Sequence, residues 1–229
     1  MRKILRVMVL GWLLLAAQAG WAQLAPGFTQ LPPGAKVVIA PLDVELFSIS
    51  AGGVLEPRAD WTAAAQQHMG AALRARADSL GLPTQSLSAE QADELAELLN
   101  LHAAVARSIS IHHKGVLKLP TKDNQLDWTF GDTLRPLQAA TGARYALFTW
   151  VRDSYASPER VAMMIGLALL GVGVGGGLQV GYATLVDLED GRVLWFNQLA
   201  RASGDLREAA KAVDSVAALL DGFPAKTTP

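Results

Sequence analysis

Two runs of β-forming residues flank an Asp-Gly pair near the C-terminus, and this pairing constrains the fold more than any other feature of the chain. Residues 180–188 and 192–200 are rich in Val, Leu, Tyr, Trp and Phe. Asp190-Gly191 lies between them, and glycine supplies the positive φ that a tight hairpin turn requires. An isolated two-stranded hairpin is marginal in water, so the pair needs a larger sheet with at least one face covered. Two further strands are predicted. Residues 145–155, YALFTWVRDSY, carry the strongest strand signal. Residues 36–47 read as a strand in which Pro41 marks an edge, bulge or break. Its start, Val37-Val38-Ile39, is continuously apolar, as in a strand covered on both faces.

Helical periodicity fills the intervals. Trp61, Ala65, Met69, Ala72, Leu73 and Leu80 recur at helical spacing behind Asp60, a predicted N-cap, and Gly81 and Pro83 stop the run. A short strand is expected up to Leu87. Ser88 and Gln91 form a capping box ahead of Ala92, Leu95, Leu99, Ala103 and Ala106. Residues 115–124 are polar and turn-rich. Asp132 or Thr133 caps a short helix ending near Gly142, with Pro136 tolerated in its first turn. Asp205 and Glu208 give a second capping signature, followed by Leu206, Ala210, Val213, Ala217 and Leu220 as the stripe of a last helix, which Gly222 and Pro224 terminate. The expected class is α/β (α+β): a single mixed β-sheet with helices packed on it, with a C-terminal β-hairpin followed by a helix. One domain spans 36–224, after a Pro- and Gly-rich extended leader (23–35) and before a short tail (225–229).

The N-terminus reads as an address. Arg2, Lys3 and Arg6 precede an uncharged apolar run at 7–15, and Ala17-Gln18-Ala19 and Gly20-Trp21-Ala22 offer small-residue cleavage sites. This is the layout of a secretory signal peptide, expected to be removed after Ala19 or Ala22, with Ala22 preferred. Removal of residues 1–22 takes three basic and no acidic residues, moving the net charge from -1 to -4. That balance argues against a nucleic-acid partner. The chain has no cysteine, which excludes disulfides and cysteine-ligated metal, and leaves no residue for the lipid of an exported bacterial lipoprotein. The expected location is the periplasm, the alternative being a membrane-associated protein.

Residues 161–178, VAMMIGLALLGVGVGGGL, carry no charged or strongly polar side chain and include six glycines. Eighteen such residues meet the length threshold of a membrane span, but glycine is poor in helices and the following flank (Asp187, Glu189, Asp190) is acidic. Gly171, Gly173 and Gly176 match a dinucleotide-type G-x-G-x-x-G by spacing only, since a helix precedes them and a strand follows. The preferred reading is a buried helix over 158–170 with a glycine loop. Compatible with it is an exposed apolar element that contacts a partner, a second copy or a membrane surface. The interaction candidates are Met163, Met164, Leu167, Leu170, Val172 and Val174, together with Trp150 and Trp195, which could neighbour one another in the sheet.

Signals of catalysis are sparse. His68 and His102 read as packed or surface residues. His112 and His113 are adjacent, so they diverge rather than share a ligand. Asp43 and Glu45 face the same side of the first strand; a solvated strand end is the preferred reading, acid–base work the alternative. Arg152 and Asp153 read as a strand end facing water or neighbouring side chains. No catalytic residue, cofactor or metal is expected.

The hairpin YATLVDLEDGRVLW (182–195) resembles that of small envelope proteins related to the periplasmic part of the curli secretion channel and to the lipoprotein activators of penicillin-binding proteins. An opening strand like 36–44 and a Gly-Ala-Arg-Tyr-Ala-Leu-Phe strand like 142–148 occur there in the same order. The chain also resembles exported proteobacterial proteins with a similar Glu-Leu-Phe-Ser…Ala-Gly-Gly-Val-Leu-Glu-Pro opening (45–48 and 51–57). The resemblance implies a non-enzymatic α/β module for binding or assembly in the envelope, through an envelope protein or self-association. The alternatives are an envelope hydrolase using Asp43, Glu45 or a histidine, and a protein attached to a membrane by 161–178.

Overall fold

The computed structural model describes residues 23–87, 96–202 and 204–225. The strands are β1 (Gln23–Leu24), β2 (Val37–Ile39), β3 (Asp43–Ile49), β4 (Leu55–Pro57), β5 (Thr84–Ser86), β6 (Tyr145–Ala156), β7 (Gln179–Asp187) and β8 (Val193–Arg201). The helices are α1 (Ala59–Ser79), α2 (Ala96–Ile109), α3 (Arg135–Thr141), α4 (Pro158–Leu169) and α5 (Ala209–Leu219). The expected class is the observed one: one mixed sheet, helices packed on it, and a C-terminal strand pair followed by a helix.

Twelve residues of β6 organise the sheet. Its first part pairs in parallel with β2, Val37 opposite Tyr145, and the rest in parallel with β3, Asp43 opposite Trp150. Pro41 lies in the break between those two short strands, where no ladder hydrogen bond is lost to its missing N–H. On its other side β6 is antiparallel to β7, which is antiparallel to β8. Gly191 turns that hairpin at φ 71°. A Cβ at Gly191 would lie 2.1 Å from the Gly131 carbonyl oxygen, so the turn is also docked against a distant loop. The leader is part of the fold: Gln23 and Leu24 pair with β8, and Leu31 is buried.

Alternation along the strands makes two cores. On one face Val44, Leu46, Leu147, Val151, Leu185 and Trp195 pack with Met69 and Leu73 of α1 and Val216 and Leu219 of α5. On the other, Val38, Phe148 and Phe196 pack with Ala106 and Ile109 of α2 and with Leu126, Phe130, Leu134 and Leu137. Each fully buried Leu or Phe contributes about 1.5–3 kcal/mol relative to exposure.

Several local expectations are corrected. Asp60 lies inside the first turn of α1 instead of capping it; Arg58 is the N-cap, and its guanidinium donates to the Asp60 carboxylate at 2.8 Å. Neither Asp132 nor Thr133 caps α3: a 3-10 turn, Gly131–Leu134, runs directly into it. Asp205 accepts from the Arg207 N–H at 3.0 Å, so it closes a local turn and α5 begins only after Glu208. Of the stripe counted from Leu206, the two ends, Leu206 and Leu220, are buried, and the three positions between them are out of phase. Ala212, Ser215, Val216 and Leu219 are the buried face of α5, while Ala210, Val213 and Ala217 are exposed. The signal segment and the capping box at Ser88 and Gln91 lie outside the described residues.

Candidate functional site

β6 and β7 are antiparallel neighbours, yet a tight turn does not join them. Residues 157–178 leave the sheet as an arm. Ser157 begins it: its Oγ accepts from the Arg160 N–H at 3.2 Å and its own N–H donates to the Ile49 carbonyl at 2.9 Å, which ties the start of α4 to β3. Pro158 occupies the first turn, where its missing N–H costs nothing. Gly171, at φ 78°, ends the helix. The chain then returns as a glycine strip. Ala156 N–H donates to the Gly176 carbonyl at 2.7 Å, and Ser154 exchanges bonds with Leu178 through both backbone and Oγ.

Arg160 clamps the base of the arm. Its guanidinium donates to the Gly175 carbonyl at 3.0 Å and to the Ser50 carbonyl at 3.4 Å, bridging helix, glycine strip and the turn that follows β3. Gly177 has a steric reason. A Cβ there would lie 2.0 Å from the Ser154 oxygen, so only glycine permits this approach of the two backbones.

The helix expected over 158–170 forms, but it is not buried: α4 contains no buried residue. The two core clusters of the sheet draw their helical partners from α1, α2, α3 and α5, and no residue of α4 belongs to either. Ile165 is 61% exposed, Leu169 84% and Leu170 77%. Among the sequence candidates, Leu170 and Val172 are exposed, and Met163, Met164, Leu167 and Val174 are half-buried. Val161, Ile165 and Leu169, which the sequence reading did not single out, are more exposed than the methionines. At 1.5 Å per residue the helix is about 18 Å long, well short of a bilayer core of about 30 Å. Among the described residues no helix is long and apolar enough to cross a membrane.

The two tryptophans are not neighbours. Trp195 is 0% exposed, edge-on to Phe223 at 5.2 Å, and belongs to the α1/α5 core rather than to any surface. Trp150 is half-buried on the opposite face, stacked on Tyr182 at 5.1 Å, with the Arg152 guanidinium 4.6 Å from its ring centre.

A buried polar network supports the arm from beneath. Asp153 lies inside the fold, so of the two expectations, water or neighbouring side chains, the second holds, because the alternation of β6 turns it toward α1 and α5. Its carboxylate accepts from the Tyr155 hydroxyl and from Gln179 Nε2 at 2.6 Å. Gln179 Oε1 accepts from Arg201 Nε at 2.8 Å and from Ser215 Oγ at 3.1 Å, while the Tyr155 oxygen accepts from the Leu206 N–H at 2.8 Å. Burial raises the Asp153 carboxyl above its ordinary value, against the opposing effect of those two donors. Burial also raises the Tyr155 phenol, reinforced by the carboxylate it bonds. A cavity of about 60 Å³ separates this network from Gly176 and Gly177.

The groups weighed for catalysis are held by other contacts. Asp43 and Glu45 do share one side of β3, and both pair with Arg152, at 2.6 Å and 3.3 Å. His68 Nδ1 lies 3.0 Å from the Leu206 carbonyl. His102 is buried, stacked on Phe148 at 5.1 Å, with Nε2 2.9 Å from Thr184 Oγ1. His112 Nδ1 lies 2.8 Å from the Leu117 carbonyl. Among the described residues no group of three or more His, Asp or Glu side chains is placed to hold a metal ion.

No family model matches the chain, and no curated protein matches it. Solved structures do. The chain is similar to the PelC dodecamer from Paraburkholderia phytofirmans, with TM-score 0.43 and 15% identity over 90% of this chain and 97% of that one. It is similar to the lipoprotein GNA1162 from Neisseria meningitidis, with TM-score 0.33 and 13% identity over 82% and 96%. It is also similar to the LpoB C-terminal domain from Salmonella enterica, with TM-score 0.27 and 13% identity over 77% and 87%. The neighbours thus include a lipoprotein, but at these identities no residue of the arm is carried across.

Proposed function

We propose that this protein is a non-enzymatic, exported module of the bacterial envelope that makes its contacts through the arm at 157–178. The observation that supports this is the mismatch between composition and burial. An arm without one charged side chain from 161 to 178 has no buried residue in its helix, while the Arg160 clamp and the Gly177 contact hold it in one geometry. Exposed apolar surface of this kind marks a contact site on a folded protein. Covering Ile165, Leu169 and Leu170 would contribute on the order of 4 kcal/mol from apolar transfer.

The test is photo-crosslinking from position 169 in the full chain, with identification of the captured species, alongside the variant Ile165→Ser/Leu169→Ser/Leu170→Ser. The expected result is one dominant crosslinked protein, or a second copy of the chain, lost in the triple variant while its circular dichroism is unchanged. An unchanged crosslink pattern and unchanged oligomeric mass in that variant would overturn the proposal. Flotation of the protein with phospholipid vesicles, abolished by the same variant, would assign the arm to a membrane surface in place of a protein partner.

A further inference from the structure

Val116 is 94% exposed, more than any other large apolar side chain among the described residues, and Leu117 beside it is 62% exposed. The backbone that carries them is held on both sides. Helix α2 passes into a π-helical turn, Ser110–Lys114, which the Gly115 N–H closes on the Ser110 carbonyl at 2.8 Å. A Cβ at Gly115 would lie 2.4 Å from the Ile111 carbonyl oxygen, so only glycine lets the chain leave the turn this closely. Beyond it, His112 Nδ1 lies 2.8 Å from the Leu117 carbonyl, and Lys118 Nζ donates to the His113 carbonyl. The segment is therefore folded back on the turn it came from, with the Val116 and Leu117 side chains left outside.

The charge around this tip is of one sign. The chain as a whole has 20 Lys and Arg against 21 Asp and Glu, yet residues 98–122 contain no carboxylate and four cations, Arg107, Lys114, Lys118 and Lys122. Arg107 and Lys118 are exposed. Lys122 is 3.5 Å from the Asp127 carboxylate, so its charge is partly answered. The dipole of α2 accounts for basic residues near its C-terminus. It asks for neither the exposed Lys118 nor a bare valine and leucine between Lys114 and Lys118.

A bare apolar tip among cations suits a fluid anionic surface better than a fixed groove. It enters the boundary between headgroups and acyl chains without needing a register, and a lysine stem beside it reaches back so that the ammonium stays among phosphates. Clustered cations then favour anionic over zwitterionic lipid. We propose that Val116 and Leu117 form an insertion tip for an anionic phospholipid surface, with Lys118 meeting a lipid phosphate and the rest of the basic run supplying long-range attraction. The tip shares no residue with the arm and does not rest on the function proposed above.

The test is sedimentation of the exported form, beginning at Gln23, with vesicles of phosphatidylcholine alone or mixed equally with phosphatidylglycerol. Partition onto the anionic vesicles should be at least about tenfold higher, and high salt should reduce it. Val116→Ser/Leu117→Ser should lower it at least about tenfold with circular dichroism unchanged. Lys118→Gln should lower it about threefold, and Lys118→Arg should restore it. The arm variant Ile165→Ser/Leu169→Ser/Leu170→Ser should bind as wild type, which separates this tip from the arm. The proposal is overturned if the two lipid mixtures bind alike, or if the Val116/Leu117 variant binds as wild type. Capture of a protein by a photo-crosslinker at position 116, with no binding to either vesicle, overturns it in favour of a protein contact.

Discussion

Acid stability offers a sharp test of the core built around His102. This ring is buried against Phe148 and Phe130, centroids 5.1 Å and 6.4 Å away, with its Nε2 2.9 Å from Thr184 Oγ1. Desolvation lowers its pKa from 6.5 to about 3. The unfolded chain binds a proton at this position below about pH 6.5, whereas the folded chain refuses it until about pH 3. The unfolded state thus carries the extra proton across that window, so stability falls as pH falls. Each pH unit is worth about 1.4 kcal/mol, giving a loss of about 3 kcal/mol on acidification from pH 7 to pH 4.5. His102→Phe keeps a ring against the two phenylalanines and removes the titration, at the cost of leaving Thr184 Oγ1 without this partner. The assay is urea denaturation of wild type and variant at pH 7 and pH 4.5. Differencing the two proteins cancels the carboxylates they share, and the variant should gain about 3 kcal/mol on the wild type between those pH values. A difference that stays constant within about 0.5 kcal/mol, or a His102 ring that titrates near pH 6.5 by NMR, refutes the reasoning.

Two further outcomes follow from packing. Trp195→Ala empties the fully buried space beside Phe223 and should cost about 3–5 kcal/mol, read as a drop in the urea midpoint with m unchanged. Gly177→Ala forces a Cβ against the Ser154 carbonyl and should destabilise by about 1–3 kcal/mol, whereas Gly173→Ala, with nothing within 4 Å, should change stability by less than about 0.5 kcal/mol. Equal effects of the two alanines would show that the base of the arm is not held as described.

What could be read from the chain follows from how local each cause is. The 145–156 strand, the Asp190-Gly191 hairpin and the apolar face of α1 rest on β-propensity, turn chemistry and helical period, and each forms with its ends within a residue or two of expectation. Phase and burial were harder to read. The stripe of α5 was misjudged because Leu206 sits on a turn outside the helix, and Ser215 lies on the buried face because Arg201 and Gln179 meet it there. Whether Asp153 faces water or side chains is not legible locally because Gln179, which donates to its carboxylate, stands 26 residues away. The arm is legible as a feature, but between a buried helix and an exposed apolar element an uncharged run cannot choose, because the choice depends on whether other helices already fill the core. The burial of His113 leaves no local sign in the sequence, because it depends on a π-helical turn that periodicity does not announce.

The parallel pairing of β6 with β2 and β3 also governs how the chain comes together in time. Asp43 and Arg152, joined in the finished sheet, stand 109 positions apart. A chain made from its N-terminus carries Val37–Ile39 and Asp43–Ile49 without their central partner until the chain has been made past Tyr145. In that interval only local structure, such as the β3–β4 pair and α1, is able to form. Pairings this remote bear a large loop-closure entropy and form late. The nascent chain therefore displays two apolar strand edges during its own production, the state most prone to pair with a neighbour of its kind.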